Sequence, residues 1–534
     1  MRKNLIAMSV AAFVGGLGIA GGASAAVIVA AGSNATAETV RQSGAGHQLI
    51  VPYYNVQAGN ATLFNIVNSD TINAKAVKIR FRGGSNSDDV LDFQLYLSPG
   101  DVWAANISRG ADGKAVITTR DRSCTLPAGV GAGAGSAFVT ARLPQTFNAD
   151  QLARETREGY IEIFNMADIP PVAGDTGTTV TSLFRAVKHV NGVAPCTTTV
   201  MNGLQSDNTS AANAAERGFA APTTGLFANF TIVNVPKAGS SSGEAAAITA
   251  TVSTADNTAA GGNIVFFPQV GGAPVGDVNN FTADPSFRTT LVTANPALAA
   301  GQTLPIYAAQ NFDFPDLSTP YISNAVNQPI EFVNILSAAL ATRSIRNEFL
   351  TDTSINAFTD WVFSQPTRRY AIAADYSSLT AGGGGSVRRV ITTGNAFYDA
   401  SNTTVSGYQI CASTLGVTFY DREEFTAVGN NFVISPNPPA PGFRLCGETS
   451  VLTFNSTAAS VLGAELARTD FSTTASGVRD GWASVATPGL GNGLPILGKA
   501  FVAASTTGLN VGASWEHRYE PAFPNGVPAI VAIP

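Results

Sequence analysis

The sequence predicts a mainly β protein built of tandem immunoglobulin-like β-sandwich domains, with one short helical segment. Three observations lead there. Apolar and polar residues alternate through many short runs, the period of a half-buried strand. Gly, Asn and Pro break these runs at the spacing of sandwich strands. The chain is 45% hydrophobic but only 13% charged, against about 25% in ordinary globular chains. Gly, Ala, Thr, Asn and Ser fill the difference, which gives the neutral, hydroxyl-rich surface of many exported β-proteins.

The first element is a leader over residues 1–25. Arg2 and Lys3 supply a basic start, Leu5 to Ala20 an apolar core, and Ala23-Ser24-Ala25 small residues suited to a signal peptidase. A cleaved secretory signal follows, with the mature chain beginning near Ala26. Residues 26–206 then read as an N-terminal sandwich domain. Val77-Lys78-Ile79-Arg80-Phe81-Arg82 alternates strictly, Gly83 to Ser87 forms a loop, and Leu91 to Leu97 alternates again. This predicts a hairpin with Val77, Ile79 and Phe81 facing a core, and Lys78, Arg80 and Arg82 sharing a solvated face with Asp92.

Upstream, Leu63 to Asn68 is a strand ending Ile-Val-Asn. The same order recurs at Leu226 to Asn234, followed by a polar loop over Gly239 to Glu244 and an alternating strand at Ile248 to Val252. A degenerate repeat places a second sandwich at 216–325, joined by a linker at Asp207 to Ala215. The C-terminal domain, 326–534, is mixed but mainly β. Its helix spans Pro329 to Leu350, where Phe332, Val333, Leu336, Ala339, Leu340 and Ile345 follow a three-to-four spacing behind Pro329. Strands are expected at Gly159 to Asp168, Trp361 to Phe363, Ser386 to Thr393, Leu415 to Tyr420, Val451 to Phe454 and Gly498 to Val502. Pro436, Pro438, Pro439 and Pro441 mark an extended loop.

The net charge of −6 argues against a nucleic-acid binder, which carries a basic excess. Beyond the leader no apolar stretch reaches 18 residues, so no transmembrane helix is expected after cleavage. An outer-membrane barrel stays open as an alternative, although strands with charge on one face suit a sandwich better. Four cysteines in an exported chain predict disulfides, and proximity favours Cys124–Cys196 and Cys411–Cys446 over the other pairings. The close cysteine pairs of a structural zinc site are missing.

Candidate chemistry is sparse, and no catalytic, cofactor-binding or metal-ligating residue is assigned. The histidines His47, His189 and His517 lack partners at ligand spacing. His517 lies in Trp515-Glu516-His517-Arg518-Tyr519-Glu520, where Glu516 or Glu520 would orient a general base; an inward-facing strand with Trp515, His517 and Tyr519 accounts for it as well. Asp88, Asp89 and Asp92, the pair Asp313 and Asp316, and the trio Asp421, Glu423 and Glu424 offer calcium-type oxygens without matching a calcium loop. They read as solvated loop acids. The basic row Lys78, Arg80 and Arg82 could grip an anionic polysaccharide, or be a solvated face balanced by Asp92. Asn-x-Ser/Thr triplets occur at Asn60, Asn106, Asn229, Asn280 and Asn455.

Several phrases carry a resemblance. These are Val51-Pro52-Tyr53-Tyr54, Gly59 to Leu63, Ala76 to Phe81, Leu97 to Trp103, Thr359-Asp360-Trp361-Val362, Pro366 to Tyr370, Tyr420 to Glu424 and Gly493 to Gly498. Together they resemble a family of exported, surface-type proteins of Gram-negative bacteria. That resemblance implies an envelope or extracellular setting and assigns no residue a role. In physical terms, Trp103 and Trp361 should anchor cores, Thr359-Asp360 should form a capped turn, and Arg368 and Arg369 should lie near a surface. The expected function is a non-enzymatic, secreted or cell-surface protein with a structural or binding role, whose partners are envelope polysaccharide or other copies of itself. The alternative is a secreted polysaccharide hydrolase using paired carboxylates among Asp421, Glu423 and Glu424.

Overall fold

The computed structural model describes residues 26–28, 35–41, 44–144, 146–175, 180–204, 211–252, 259, 261–266, 317, 321, 329–392, 394–423, 443–454, 460–471, 479–506 and 509–523. The leader, Asp313, Asp316, Glu424, Asn280, Asn455 and the four prolines at 436–441 lie outside these residues. The fold is mainly β, as expected. In chain order the first strands are β1 (Ala26–Ile28), β2 (Ala37–Arg41), β3 (Gln48–Asn55), β4 (Asn60–Asn68), β5 (Ala74–Gly83), β6 (Asp89–Leu97), β7 (Val102–Arg109) and β8 (Ala115–Thr118). They continue with β9 (Cys124–Leu126), β10 (Ser136–Ala137), β11 (Glu158–Ile169), β12 (Leu226–Asn234), β13 (Gly239–Glu244), β14 (Ala246–Thr251) and β15 (Ile264–Phe266).

Two sheets dominate this half. A seven-stranded sheet has the order β2-β14-β3-β11-β5-β6-β9, and a six-stranded sheet the order β10-β8-β7-β4-β12-β13. Their facing side chains share one core containing Val51, Phe64, Phe81, Phe93, Ile107, Ile163 and Phe230 around the fully buried Trp103. Edge-on contacts of Phe64 with Phe81 and Trp103, at 5.7 and 5.5 Å between centroids, fix the layer geometry. The predicted hairpin is present, with Ile79 opposite Phe93 and Phe81 opposite Leu91.

The sequence repeat is real but does not make two sandwiches. Its two Ile-Val-Asn strands, β4 and β12, lie side by side, with Asn60 opposite Asn234 and Asn68 opposite Leu226. The strands that follow them, β5 and β14, both enter the seven-stranded sheet. Residues 216–251 therefore complete the sandwich that 26–206 begins, and the boundary drawn at 206–216 does not separate two cores. The physical reason is that each unit is split between the sheets, the first placing β4 in the six-stranded sheet and β5 in the seven-stranded one, the second β12 and β13 in the former and β14 in the latter, and so few strands cannot bury both faces by themselves. The short helix Ala211–Glu216 overlaps the expected linker.

The C-terminal half begins with the helix Pro329–Leu340, after which the chain changes to strand at Ala341. The expected helix thus stops ten residues early. Ile345 and Phe349 are buried while Arg343, Arg346 and Glu348 are exposed, a pattern that a strand accommodates across two faces. The strands are β16 (Ala341–Leu350), β17 (Phe358–Ser364), β18 (Ile372–Asp375), β19 (Arg388–Ile391), β20 (Thr403–Ser406), β21 (Gln409–Ser413), β22 (Val417–Tyr420) and β23 (Arg444–Cys446). Then come β24 (Thr449–Phe454), β25 (Arg468–Phe471), β26 (Asp480–Ala486), β27 (Leu494–Pro495), β28 (Leu497–Thr506), β29 (Leu509–Glu516) and β30 (Arg518–Pro521).

A sheet β22-β26-β16-β27, with β30 also on β16, faces the sheet β25-β24-β17-β28-β29. Trp361, Phe363, Phe349, Phe454 and Val485 fill the space between them. Trp361 is fully buried, as expected. Thr359 and Asp360 are not a turn but lie within β17; buried Asp360 accepts hydrogen bonds from Leu462 N at 2.9 Å and Ser460 Oγ at 2.5 Å.

The two sandwiches meet along edges and faces. Edge strand β13 runs against edge strand β29, where Ser241 Oγ donates to Ala513 O at 3.3 Å. Gly512 permits this approach, since a Cβ there would sit 2.4 Å from Ser240 O. Tyr53 and Phe501 pack across the junction at 6.4 Å.

Both expected disulfides form, Cys124–Cys196 and Cys411–Cys446, closing separations of 72 and 35 residues. Loop-closure entropy assigns each about 4 kcal/mol of stabilisation. Reduction is therefore expected to lower the guanidinium midpoint sharply, and Cys411→Ser/Cys446→Ser to reproduce part of the loss. Unchanged midpoints in reductant would show that neither bridge constrains the unfolded chain.

Candidate functional site

The basic row is buried, not solvated. Lys78, Arg80 and Arg82 are buried, and the C-terminal half covers the sheet face around Arg82, where Tyr370 is a neighbour. Tyr160 Oη donates to Pro366 O at 3.4 Å, Arg368 Nη2 to Ser85 O at 3.4 Å, and Asn86 Nδ2 to Tyr408 O at 2.6 Å. With water excluded, the cations take carboxylate partners. Lys78 pairs with Asp92. Arg80 Nη1 lies 2.9 Å from Asp89, and Arg82 Nε 3.2 Å from Glu162.

Asp88, Asp89 and Asp92 are thus neither solvated loop acids nor a calcium loop, but are held in this covered region. Burial pushes the Asp92 carboxyl up, yet Lys78, Arg80 and Arg142 outweigh it and hold the group far below the carboxylate range. Arg368 and Arg369 are also buried, where a surface was expected. Arg368 lies 3.4 Å from Glu448, and burial raises that carboxyl to about 7 despite both arginines. The row cannot meet a polysaccharide; its chemistry is internal.

The other candidates are equally structural. His517 is buried, stacked on Phe363 at 5.3 Å. Its Nε2–H donates to Val362 O at 3.0 Å, while Nδ1 accepts from Asn347 Nδ2 at 2.9 Å. Burial lowers its pKa to about 3, so the ring stays neutral. Glu516 pairs with Lys499 and Glu520 with Arg346, leaving no carboxylate to orient a base. His47 accepts from Ala250 N at 3.1 Å, and His189 lies 2.9 Å from Ser98 Oγ.

Asp421 and Glu423 occupy a turn after β22, where Asp421 Oδ1 accepts from Glu423 N at 3.0 Å. Among the described residues no group of three or more His, Cys, Asp or Glu side chains is placed to hold a metal ion. One spacing that a motif search should flag is Gly239-Ser240-Ser241-Ser242-Gly243, which matches G-x-S-x-G. It lies on the flat strand β13, without the strand-to-helix turn that exposes a nucleophile.

What the fold does expose is a groove of about 550 Å³ on the outer face of the six-stranded sheet. The alternation of β4, β7, β8 and β12 builds it: even-numbered residues of β4 and β12 and odd-numbered residues of β7 and β8 pack inward, while the others stand outward. Thr231, Leu63, Asn106 and Thr118 are successive cross-strand neighbours in one row. Asn229, Asn65 and Ala104 form the next. Ala104 leaves the depth between the amides. Among the described residues of the lining Arg120 is the one charged side chain, and Gly133 of the glycine-rich loop closes one side.

Asn106 Nδ2 donates to Thr118 Oγ1 at 3.3 Å, and Asn65 Oδ1 accepts from Asn229 N at 3.4 Å. These contacts orient the amides and leave further donors and acceptors facing the groove. Sequence reasoning missed this site, because it depends on β12 lying beside β4, a pairing 164 residues apart at Asn65 and Asn229.

The class these features define is a mainly β, disulfide-bonded sandwich protein with an open groove lined by amides, hydroxyls, apolar side chains and Arg120. No helix among the described residues is long and apolar enough to cross a membrane. No family model, no curated protein and no solved structure matches the chain.

Proposed function

We propose that the chain is an exported, non-enzymatic protein of the bacterial envelope or cell surface, and that its groove holds a neutral polysaccharide chain. The observation that carries this is the groove lining: among the described residues, three asparagines and three threonines stand with one arginine among apolar side chains, on four strands and the loops beside them. Amides and hydroxyls exchange hydrogen bonds with sugar hydroxyls at little desolvation cost, because both sides are neutral polyfunctional donors and acceptors. An open groove on a rigid sheet also suits a chain ligand that enters and leaves at both ends. The leader, the two disulfides and the family resemblance support the setting.

Ala104→Trp tests the site by filling the groove floor with a side chain that projects outward and leaves the core alone. Retardation in native gels cast with envelope polysaccharide is expected for the wild type, and at least tenfold weaker for the variant. A wild type that is not retarded, or a variant retarded equally, would overturn the assignment.

A further inference from the structure

The outer face of the C-terminal sheet carries a second constellation. Tyr420 on β22 and Trp482 on β26 are directly cross-strand and stack with centroids 4.2 Å apart and planes inclined by 11°. Trp482 is 39% exposed, whereas Trp103 and Trp361 are fully buried. Glu348 on β16 is the next cross-strand neighbour of Trp482. The adjacent row holds Thr418, Ser484 and Arg346. Two strand spacings by one pleat repeat give a platform of about 10 by 7 Å, the footprint of one to two sugar rings.

We propose that this platform is a carbohydrate-binding site for a β-linked hexopyranose chain, separate from the groove. A pyranose with equatorial substituents has a flat face of C–H bonds, which packs on the indole face that Tyr420 leaves free, on the side of Glu348, and a rim of hydroxyls around it. Glu348 is placed to accept from that rim, and Ser484 and Thr418 to donate and accept. Arg346 lies 2.8 Å from Glu520, and Arg422 pairs with Asp480 at the opposite end. Paired charges therefore frame the rings and leave little net field for an anionic ligand. A protein partner is poorly matched: a stable interface needs about 800 Å² per side around an apolar centre, and this patch offers two rings inside a polar frame.

The inference shares the carbohydrate class with the groove but none of its residues, so each can fail alone. The probe is the hexasaccharide of β-1,4-linked glucose, titrated while tryptophan emission and acrylamide quenching are followed. Trp482 and Trp515 are the exposed indoles, both at 39%, so a Trp515→Phe background isolates Trp482. Saturable protection from quenching is expected in that background; by calorimetric titration, which needs no indole reporter, with the groove blocked by Ala104→Trp, Trp482→Ala should bind at least tenfold more weakly and Trp482→Phe should keep most of the affinity. Ala104→Trp alone should keep calorimetrically detected binding of the hexasaccharide at the platform, even where it abolishes retardation by polysaccharide. Absence of protection, or equal affinity in Trp482→Ala, would overturn the platform without touching the groove.

Discussion

Arg82→Met is expected to destabilise the native state by about 3–5 kcal/mol, the cost of leaving a buried partner charge uncompensated. Arg82 lies on β5 under the C-terminal half, with Nε 3.2 Å from Glu162 Oε2 and Nη1 3.9 Å from Asp89. Removing the guanidinium strands Glu162, whose remaining side-chain donor is Tyr160 Oη at 3.3 Å. The double variant Arg82→Met/Glu162→Leu removes both ions, and it should recover much of the loss because desolvation of the pair roughly cancels its attraction. Guanidinium melts of the four species give the coupling energy directly. Additive losses would mean that the two side chains do not form the buried pair.

This buried layer also marks where the sequence stops being legible. Strict alternation in Val77 to Arg82 shows a strand with two unlike faces, and that much is correct. Alternation does not say what covers the polar face. Here the cover is the C-terminal half, reaching Ser85 from Arg368, 283 residues along the chain. A row of cations therefore looks identical in sequence whether it meets water or a second layer.

The repeat was equally readable as two similar units, but pairing between units is a property of sheet register, and β4 beside β12 makes one sandwich from both. Cysteine pairing was simpler, because short loops close first at least entropic cost. Trp103 and Trp361 were predictable as anchors, since large rings at strand positions between turns seek the core. The groove was not, because its rows combine residues from four strands and no local motif announces them.

Stability should fall as the pH rises from 6 to 9, and Glu38→Gln should flatten that fall by about 2 kcal/mol. Burial raises Glu38 to about 8, and Glu155 and Glu448 to about 7, from the ordinary 4.5. A carboxyl whose folded pKa lies above its unfolded value keeps its proton longer in the native state. Its contribution is complete below the unfolded pKa and is lost as the pH climbs through the folded one. His517 acts oppositely, since its folded value of about 3 lies below 6.5; stability rises with its deprotonation in the unfolded chain and is level above that range. Between pH 7 and 9 the buried carboxyls are thus unopposed by it.

Glu38 is the cleanest of the three. Desolvation alone raises it, and its recorded side-chain contact is Gln48 Nε2 at 3.4 Å, so glutamine replaces the neutral acid with little change of shape. Glu448, by contrast, faces Arg368, and removing its charge would strand that guanidinium. Denaturant midpoints at pH 6 and pH 9 decide the matter. The Glu38→Gln protein is expected to be the more stable one already at pH 6, above the unfolded pKa of the carboxyl, and by a larger margin at pH 9. Parallel pH profiles for the two proteins would place the Glu38 carboxylate in water and refute its burial on β2.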